Sequence, residues 1–358
     1  MSWPAYIEDP GLDKPGTLYV GRGRVSQYFE RHSYAGQAWK IGNEYTTYVP
    51  NRNRSYKTTA RLRFKSAEDF YDLMESCRSY GLRPPISYAD LFFQQHRLPG
   101  IHRHTWLAPF RKFSFGGWER ALFKGEYRGP VYQYDINSAY RWAGQIGLPD
   151  PTRFERSIHF NDPLGIYICV LGENSIPYAP QAGIHCVTSE ERDVFDVRPK
   201  KILFGVRCNG ETFAVAEAFQ ELEKKWSKER VKSMSRAYWG KFNSILGPKQ
   251  VSWKRGLSEH TQSNFFFNPV WSAFITSRVK LRLCLYRSIA LHVYVDSILT
   301  TRPIPEGEDI GSFRLLDSDT DGCYIKGDTQ WKFGPNAPSQ WPRYTSLGDR
   351  DGNLEGKT

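Results

Sequence analysis

The chain has 358 residues, 40% apolar and 15% aromatic, with a formal net charge of +11 and a pI near 9.3. A mean hydropathy of −0.58 and the lack of any long apolar run exclude a membrane-spanning protein, and the aromatic content excludes extended disorder. The surplus of cations among many aromatic rings fits a nucleic-acid partner, because cations neutralise phosphates and aromatic faces stack on bases.

The N-terminus, Met1-Ser2-Trp3-Pro4-Ala5, has neither a basic start nor an apolar core, so no secretory signal is expected. Residues 1–60 read as turns and short strands, with a short phosphate-friendly cluster at Gly21-Arg22-Gly23-Arg24. Ser66 is placed to cap a helix that carries Glu68 and Asp69 in its first turn, spaces Phe70, Leu73, Met74 and Cys77 along one face and stops at Gly81. Pro84-Pro85 breaks the chain, and a second helix is predicted from Tyr88 to Gln95. His102-Arg103-His104 is a dense histidine cluster, but no carboxylate or thiol pattern follows to complete a metal site. None of the six cysteines forms a CxxC pair, so they read as free thiols of a reducing cytoplasm.

From residue 113 the character changes. Gly116-Gly117 lies among aromatics, where a backbone can approach a partner closely. Val131–Asp135 reads as a strand leading into a helix start. Residues 165–170 and 201–206 are β-rich, residues 213–246 are a long helical stretch of one or two helices, and 270–290 read as another helix. Leu291–Thr300 predicts a β-hairpin turning at Asp296-Ser297. Residues 335–358 read as a loose tail.

Asp135 and Asp296 each end an apolar strand, where a carboxylate costs folding energy unless it is paired or metal-bound. Two such strands laid side by side bring both carboxylates to one sheet edge, the minimum site for two Mg²⁺ ions about 3.5–4 Å apart. Between them, Lys225, Lys228, Lys232 and Arg236 recur at helical spacing with only Glu229 nearby, on another side. An unbalanced cationic stripe suits a triphosphate or a nucleic-acid backbone. Ala237-Tyr238-Trp239-Gly240 then sets aromatics beside a glycine that lets a flat base pair approach.

These residues resemble the motifs of family B DNA polymerases. Tyr134-Asp135-Ile136-Asn137-Ser138-Ala139-Tyr140 is similar to the first palm motif, DxxSLYP, and Lys232 to Gly240 to the fingers-helix motif KxxxNSxYG. Tyr294-Val295-Asp296-Ser297 is similar to the second palm motif, DTDS. Phe115-Gly116-Gly117-Trp118-Glu119, Phe274–Arg278 and Gly322–Trp331 resemble the remaining segments of the protein-primed branch found in phages, linear plasmids and organelles, in the correct order over residues 113–331. Five positions depart from the pattern: Tyr294 replaces the first aspartate of DTDS, Arg236-Ala237 the Asn-Ser pair, Trp239 the fingers tyrosine and Arg141 the proline.

The resemblance implies an α+β fold with a polymerase palm, an antiparallel sheet backed by helices, short helical fingers and a small or absent thumb. It implies an N-terminal α+β module over 1–112, a degenerate exonuclease remnant that binds DNA; palm over 113–212; fingers helices over 213–250; palm with catalytic hairpin and reduced thumb over 251–334; and a flexible tail over 335–358. Asp135 and Asp296 would hold two Mg²⁺ ions, for which Mn²⁺ can substitute, with the Ile136 carbonyl as a further ligand. Lys232, helped by Lys228 or Arg236, would grip the triphosphate. Tyr140 would stack under the sugar and exclude a 2′-hydroxyl. Trp239 and Gly240 would pack on the nascent base pair. Gly116 and Gly117 would line the template path, and Lys326 would contact the primer end. The implied partners are primer-template DNA, dNTPs and separate replication proteins, such as an exonuclease, helicase, primer protein or processivity factor. The implied place is the cytoplasm, that of the host if phage-encoded, with no membrane. No proofreading exonuclease motif is found in order. Two rival readings stay open on the residues: an inactive polymerase-like DNA-binding subunit, and a primase or non-templated nucleotidyltransferase on the same palm.

Overall fold

The computed structural model describes residues 116–336 except 180, 244, 247–250, 253–255, 258–261 and 264–266, residues 67–98 except 83, 84, 86 and 97, residues 107, 109 and 110, and, of residues 1–66, the strands alone. The Gly21–Arg24 cluster, Ser66, the His102–His104 cluster and the chain beyond residue 336 lie outside the described residues. Two compact units result, residues 1–98 with 222–238, and residues 99–221 with 239–358.

In the first unit, β1 (Tyr6–Asp9), β2 (Thr17–Val20), β3 (Gln37–Ile41), β4 (Glu44–Val49) and β5 (Thr59–Phe64) pair in chain order as an antiparallel meander. α1 (Ala67–Ser79) buries Leu73 and Cys77. It stops where Gly81 takes φ +67, which lets the Leu82 N–H reach the Cys77 carbonyl at 2.8 Å. α2 (Tyr88–Gln95) has the predicted bounds and is capped by Ser87, whose hydroxyl accepts from the Asp90 N–H.

The second unit holds β6 (Trp118–Ala121), β7 (Gly125–Arg128), β8 (Val131–Ile136) and α3 (Ala139–Gln145), followed by β9 (Phe154–Arg156), β10 (Ile166–Leu171), β11 (Gly183–Thr188), α4 (Ser189–Phe195) and β12 (Lys201–Cys208). The predicted helical stretch 213–246 holds two helices. α5 (Ala214–Lys225) ends before Ser227, whose hydroxyl caps α6 (Lys228–Ala237), and a 3₁₀ turn, Trp239–Asn243, follows. Ile245–Leu246 pairs with Gln262–Ser263 and, inside it, Val251–Ser252 with Gly256–Leu257, so two nested strand pairs precede α7 (Pro269–Cys284). β13 (Ala290–Val295), β14 (Ser297–Thr300), β15 (Phe313–Asp319), β16 (Gly322–Gly327) and β17 (Gln330–Phe333) complete the unit.

The central sheet is fully antiparallel, in the order β15-β8-β14-β13-β6. A four-stranded sheet, β9-β12-β10-β11, and a three-stranded one, β17-β16-β7, flank it in the same unit. This is a mixed α/β architecture built on antiparallel sheets. α7 is buried along most of its length, from Pro269 to Lys280, with Ser272, Thr276, Ser277, Arg278 and Lys280 buried among its apolar residues. All six cysteines are free thiols. Burial pushes Cys77, Cys169, Cys284 and Cys323 up to about 12, so they stay protonated and inert at neutral pH. Among the described residues no helix is long and apolar enough to cross a membrane.

One end of the central sheet packs on the three-stranded sheet through Val131, Leu291, Leu299, Cys323, Ile325 and Trp331. His292 sits at this seam, 2% exposed, its Nε2 3.0 Å from the Asp328 carbonyl. Burial holds its pKa below the ordinary value, against the pull of Asp328. The unfolded chain therefore binds the extra proton first. The neutral ring's contribution is present above about pH 6.5 and is lost as pH falls through the folded value. His292→Gln keeps a donor for Asp328 without a titration, so the melting temperature of the variant should fall less between pH 7 and 5 than that of the wild type. Parallel melting curves would refute this assignment.

Candidate active site

β8 carries Asp135 and the Val295-Asp296 turn carries the second carboxylate, but their strands are not neighbours: β14 lies between β8 and β13. The hairpin also turns one residue earlier than the sequence suggests, at Val295-Asp296, and Ser297 opens β14. The interposed strand still brings the acids together. Ser297 stands opposite Asp135 in register and donates its hydroxyl to Asp135 Oδ1 at 3.0 Å, and the Ile136 N–H donates to the Asp296 carbonyl at 3.0 Å. Directly opposed residues share a sheet face, so Glu119, Tyr294, Ser297, Asp135 and Arg314 form one cross-strand row.

Tyr140 enters from α3. The junction between β8 and α3 is sharp, with Ser138 at φ +50. The loop before β15 clamps it: the Asn137 N–H bonds the Ser312 carbonyl at 2.9 Å, its side-chain amide bonds Gly307 O at 2.9 Å, and the Gly311 N–H returns to Asn137 O at 2.8 Å. The far end of α3 is held by Arg278 of α7, which bonds the Ala143, Ile146 and Gly147 carbonyls. Tyr140 is thereby fixed, 8% exposed. Its hydroxyl is pushed well above the ordinary tyrosine value, by burial first and then by the charges of Asp296, Glu119 and Asp135. It remains a neutral donor beside the carboxylates.

Trp239 stacks on Tyr140, with ring centroids 4.2 Å apart and planes 12° from parallel. The 3₁₀ turn that presents it is anchored to the start of α7, where Asn268 N–H bonds Phe242 O at 2.8 Å and Phe242 packs edge-on against Trp271 at 5.3 Å. Gly240 is exposed, and a Cβ there would meet nothing within 4 Å, so a flat ligand has room beside it. The two glycines before β6 differ. Gly116 is likewise open, whereas Gly117 packs against Val295.

The structure thus gathers Asp135, Ile136, Asp296, Tyr140, Trp239 and Gly240 in one unit. Lys228, Lys232 and Arg236 belong to the other unit, all three exposed on α6. The opposite side of that helix is internal: Val231 and Met234 are buried, and Arg230 pairs with Asp72 at 2.5 Å and lies over Trp226. Lys225 closes the preceding helix and is not part of the α6 face. Lys326 is exposed on β16 of the three-stranded sheet. In the sequence Glu119 is only the last residue of the Gly116-Gly117 segment. Strand alternation alone could not bring it opposite Tyr294; register does.

Aspartate oxygens are the hard donors that Mg²⁺ prefers. Among the described residues no group of three or more His, Cys, Asp or Glu is arranged around a cation. Two carboxylates fit Mg²⁺, which commonly takes one or two from protein and the remainder from water and substrate phosphates.

No known protein-family profile matches the chain, and no curated protein matches it. Solved structures do. Phi29 DNA polymerase complexed with primer-template DNA and incoming nucleotide substrates superposes with a TM-score of 0.53 at 14% identity, over 76% of this chain and 61% of that one. Phi29 DNA polymerase complexed with single-stranded DNA gives 0.53 at 13% identity, over 74% and 57%. The chain thus spans about three fifths of that polymerase's length. At these identities the likeness is one of fold, and the chain has a fold similar to part of Phi29 DNA polymerase.

Proposed function

We propose that this chain is a template-directed DNA polymerase of family B type, adding dNTPs to a primer 3′-hydroxyl without 3′–5′ proofreading, in viral or mobile-element replication in the cytoplasm. The observation that carries the reading is the adjacency of Asp135 and Asp296 at one end of β8 and β14, through the Ser297 hydroxyl on Asp135 and the Ile136 N–H on the Asp296 carbonyl, in the unit that stacks Tyr140 on Trp239. Asp135, Asp296 and the Ile136 carbonyl would hold two Mg²⁺ ions, or Mn²⁺, which when bound activate the attacking hydroxyl and stabilise the leaving pyrophosphate. The chain's own residues contribute positioning. Ser297 orients Asp135 through its hydroxyl. Tyr140, buried against the carboxylates, forms a rigid floor for the sugar, and Trp239 with the open Gly240 offers a surface for the base pair. The motif resemblance would assign Lys228, Lys232 and Arg236 to the triphosphate, Gly116 and Gly117 to the template and Lys326 to the primer end.

Primed-template extension with Mg²⁺ or Mn²⁺ tests the reading. Wild type should incorporate dNTPs and Asp135→Asn should not; equal inactivity of both would leave an inactive DNA-binding subunit, the reading favoured by Tyr294 at an aspartate position. Extension of NTPs, or without primer or template, would point instead to a primase or transferase. Tyr140→Ala removes the floor under the sugar, and ribonucleotide incorporation relative to dNTP should rise by about tenfold or more. An unchanged sugar preference would withdraw that role.

A further inference from the structure

Val295, the residue just before Asp296, has φ +59, a conformation that favours glycine and is costly for a β-branched side chain. It is the first central residue of a two-residue turn, closed by Tyr294 opposite Ser297, in which Asp296 keeps negative φ, a geometry that ordinarily calls for glycine at that place. Something must hold it there. On one side the Ile136 N–H takes the Asp296 carbonyl at 3.0 Å. On the other side Gly117 lies flat against the turn. A Cβ on Gly117 would come within 2.9 Å of Val295 Cα, 3.0 Å of its Cγ1 and 3.2 Å of its Cβ. The first of these is backbone, so no rotation of a side chain could relieve it.

We propose that Gly117 and Val295 form a seat that sets the position of Asp296, making Gly117 a positioning residue; the inference rests on the polymerase reading of the site. The next residue, Trp118, pairs in register with Val295 and is 3% exposed, so β6 cannot slide away to make room. Any side chain at 117 must therefore push the turn, and Asp296 with it.

The test uses the full chain with Gly117→Ala, Val295→Gly, the double variant and Asp296→Asn. It measures primer-extension kcat and KM, Mn²⁺ affinity by electron paramagnetic resonance, and melting temperature. Gly117→Ala should lower kcat about a hundredfold, as a misplacement near 1 Å does, with KM for dNTP little changed and Mn²⁺ bound more weakly. Val295→Gly removes two of the three clashing atoms and accepts positive φ freely, so the double variant should recover at least about tenfold of that loss. A Gly117→Ala protein with wild-type kcat and Mn²⁺ affinity, beside an inactive Asp296→Asn, would overturn the seat while leaving the polymerase reading intact, as would a double variant no better than Gly117→Ala. If wild type and Asp296→Asn are equally inactive, the polymerase reading fails, and Mn²⁺ affinity alone decides the seat: weaker binding in Gly117→Ala supports it and unchanged binding overturns it. Should Gly117→Ala not fold, Val295→Gly carries the test, with a smaller loss of kcat and Mn²⁺ affinity expected and no loss refuting it.

Discussion

Arg278→Met should lower unfolding free energy by about 3–5 kcal/mol, measured by urea denaturation. The guanidinium is 5% exposed and every one of its five N–H groups has a partner. Nε and one Nη2 hydrogen take the Glu190 carboxylate at 2.8 and 2.6 Å, and the others bond the Ala143, Ile146 and Gly147 carbonyls at 2.7–2.9 Å. Those carbonyls lie at and just past the end of α3, where no helical donor reaches them. Methionine fills the volume next to Phe274 but strands three carbonyls and a carboxylate. Arg278→Lys should recover only part of the loss, because a point ammonium cannot span the fork. Glu190→Gln should cost less than either, since that side chain is 29% exposed and the carbonyl bonds remain. A loss under about 1 kcal/mol for Arg278→Met would mean that water replaces the arginine and that α3 is not fastened through it.

That fastening was not legible in the sequence, where Arg278 appears only as the last residue of a helix motif. Local signals were. The helix expected from Tyr88 to Gln95, after the break at Pro84-Pro85, is α2, and the helix expected over 270–290 is α7, which ends at Cys284. The two aspartates stood out because a carboxylate ending an apolar strand is costly in any fold. What connects them is non-local. Strand order put β14 between the two carrier strands, and register brought Glu119 and Tyr294 into the Asp135 row. Neither follows from spacing along the chain. The cationic stripe shows the opposite error. Its spacing was real from Lys228 onward, but Ser227 starts a new helix, and Lys225 lies before that cap. The stacking of Tyr140 on Trp239 needs about a hundred residues of intervening chain to return, so only their chemical types could be read in advance.

Asp135→Asn and Asp296→Asn should each lower kcat by about a thousandfold, and the double variant should fall little further, far short of the product of the two losses. The reason is geometric. Asn keeps the shape of Asp and one carbonyl oxygen, so Ser297 can still donate at position 135, and the backbone bond from Ile136 to residue 296 is untouched. Only charge is removed. If the two carboxylates hold one pair of cations, losing either dismantles the arrangement and the second substitution has nothing left to remove. If they serve separate tasks, their losses multiply. Single-turnover primer extension across the four proteins measures the difference directly. Raising Mn²⁺ should partly rescue each single variant, because the neutral amide weakens the ion's hold without abolishing the oxygen donors. A wild-type rate for Asp135→Asn beside an inactive Asp296→Asn would leave one carboxylate carrying the chemistry and would dissolve the shared site.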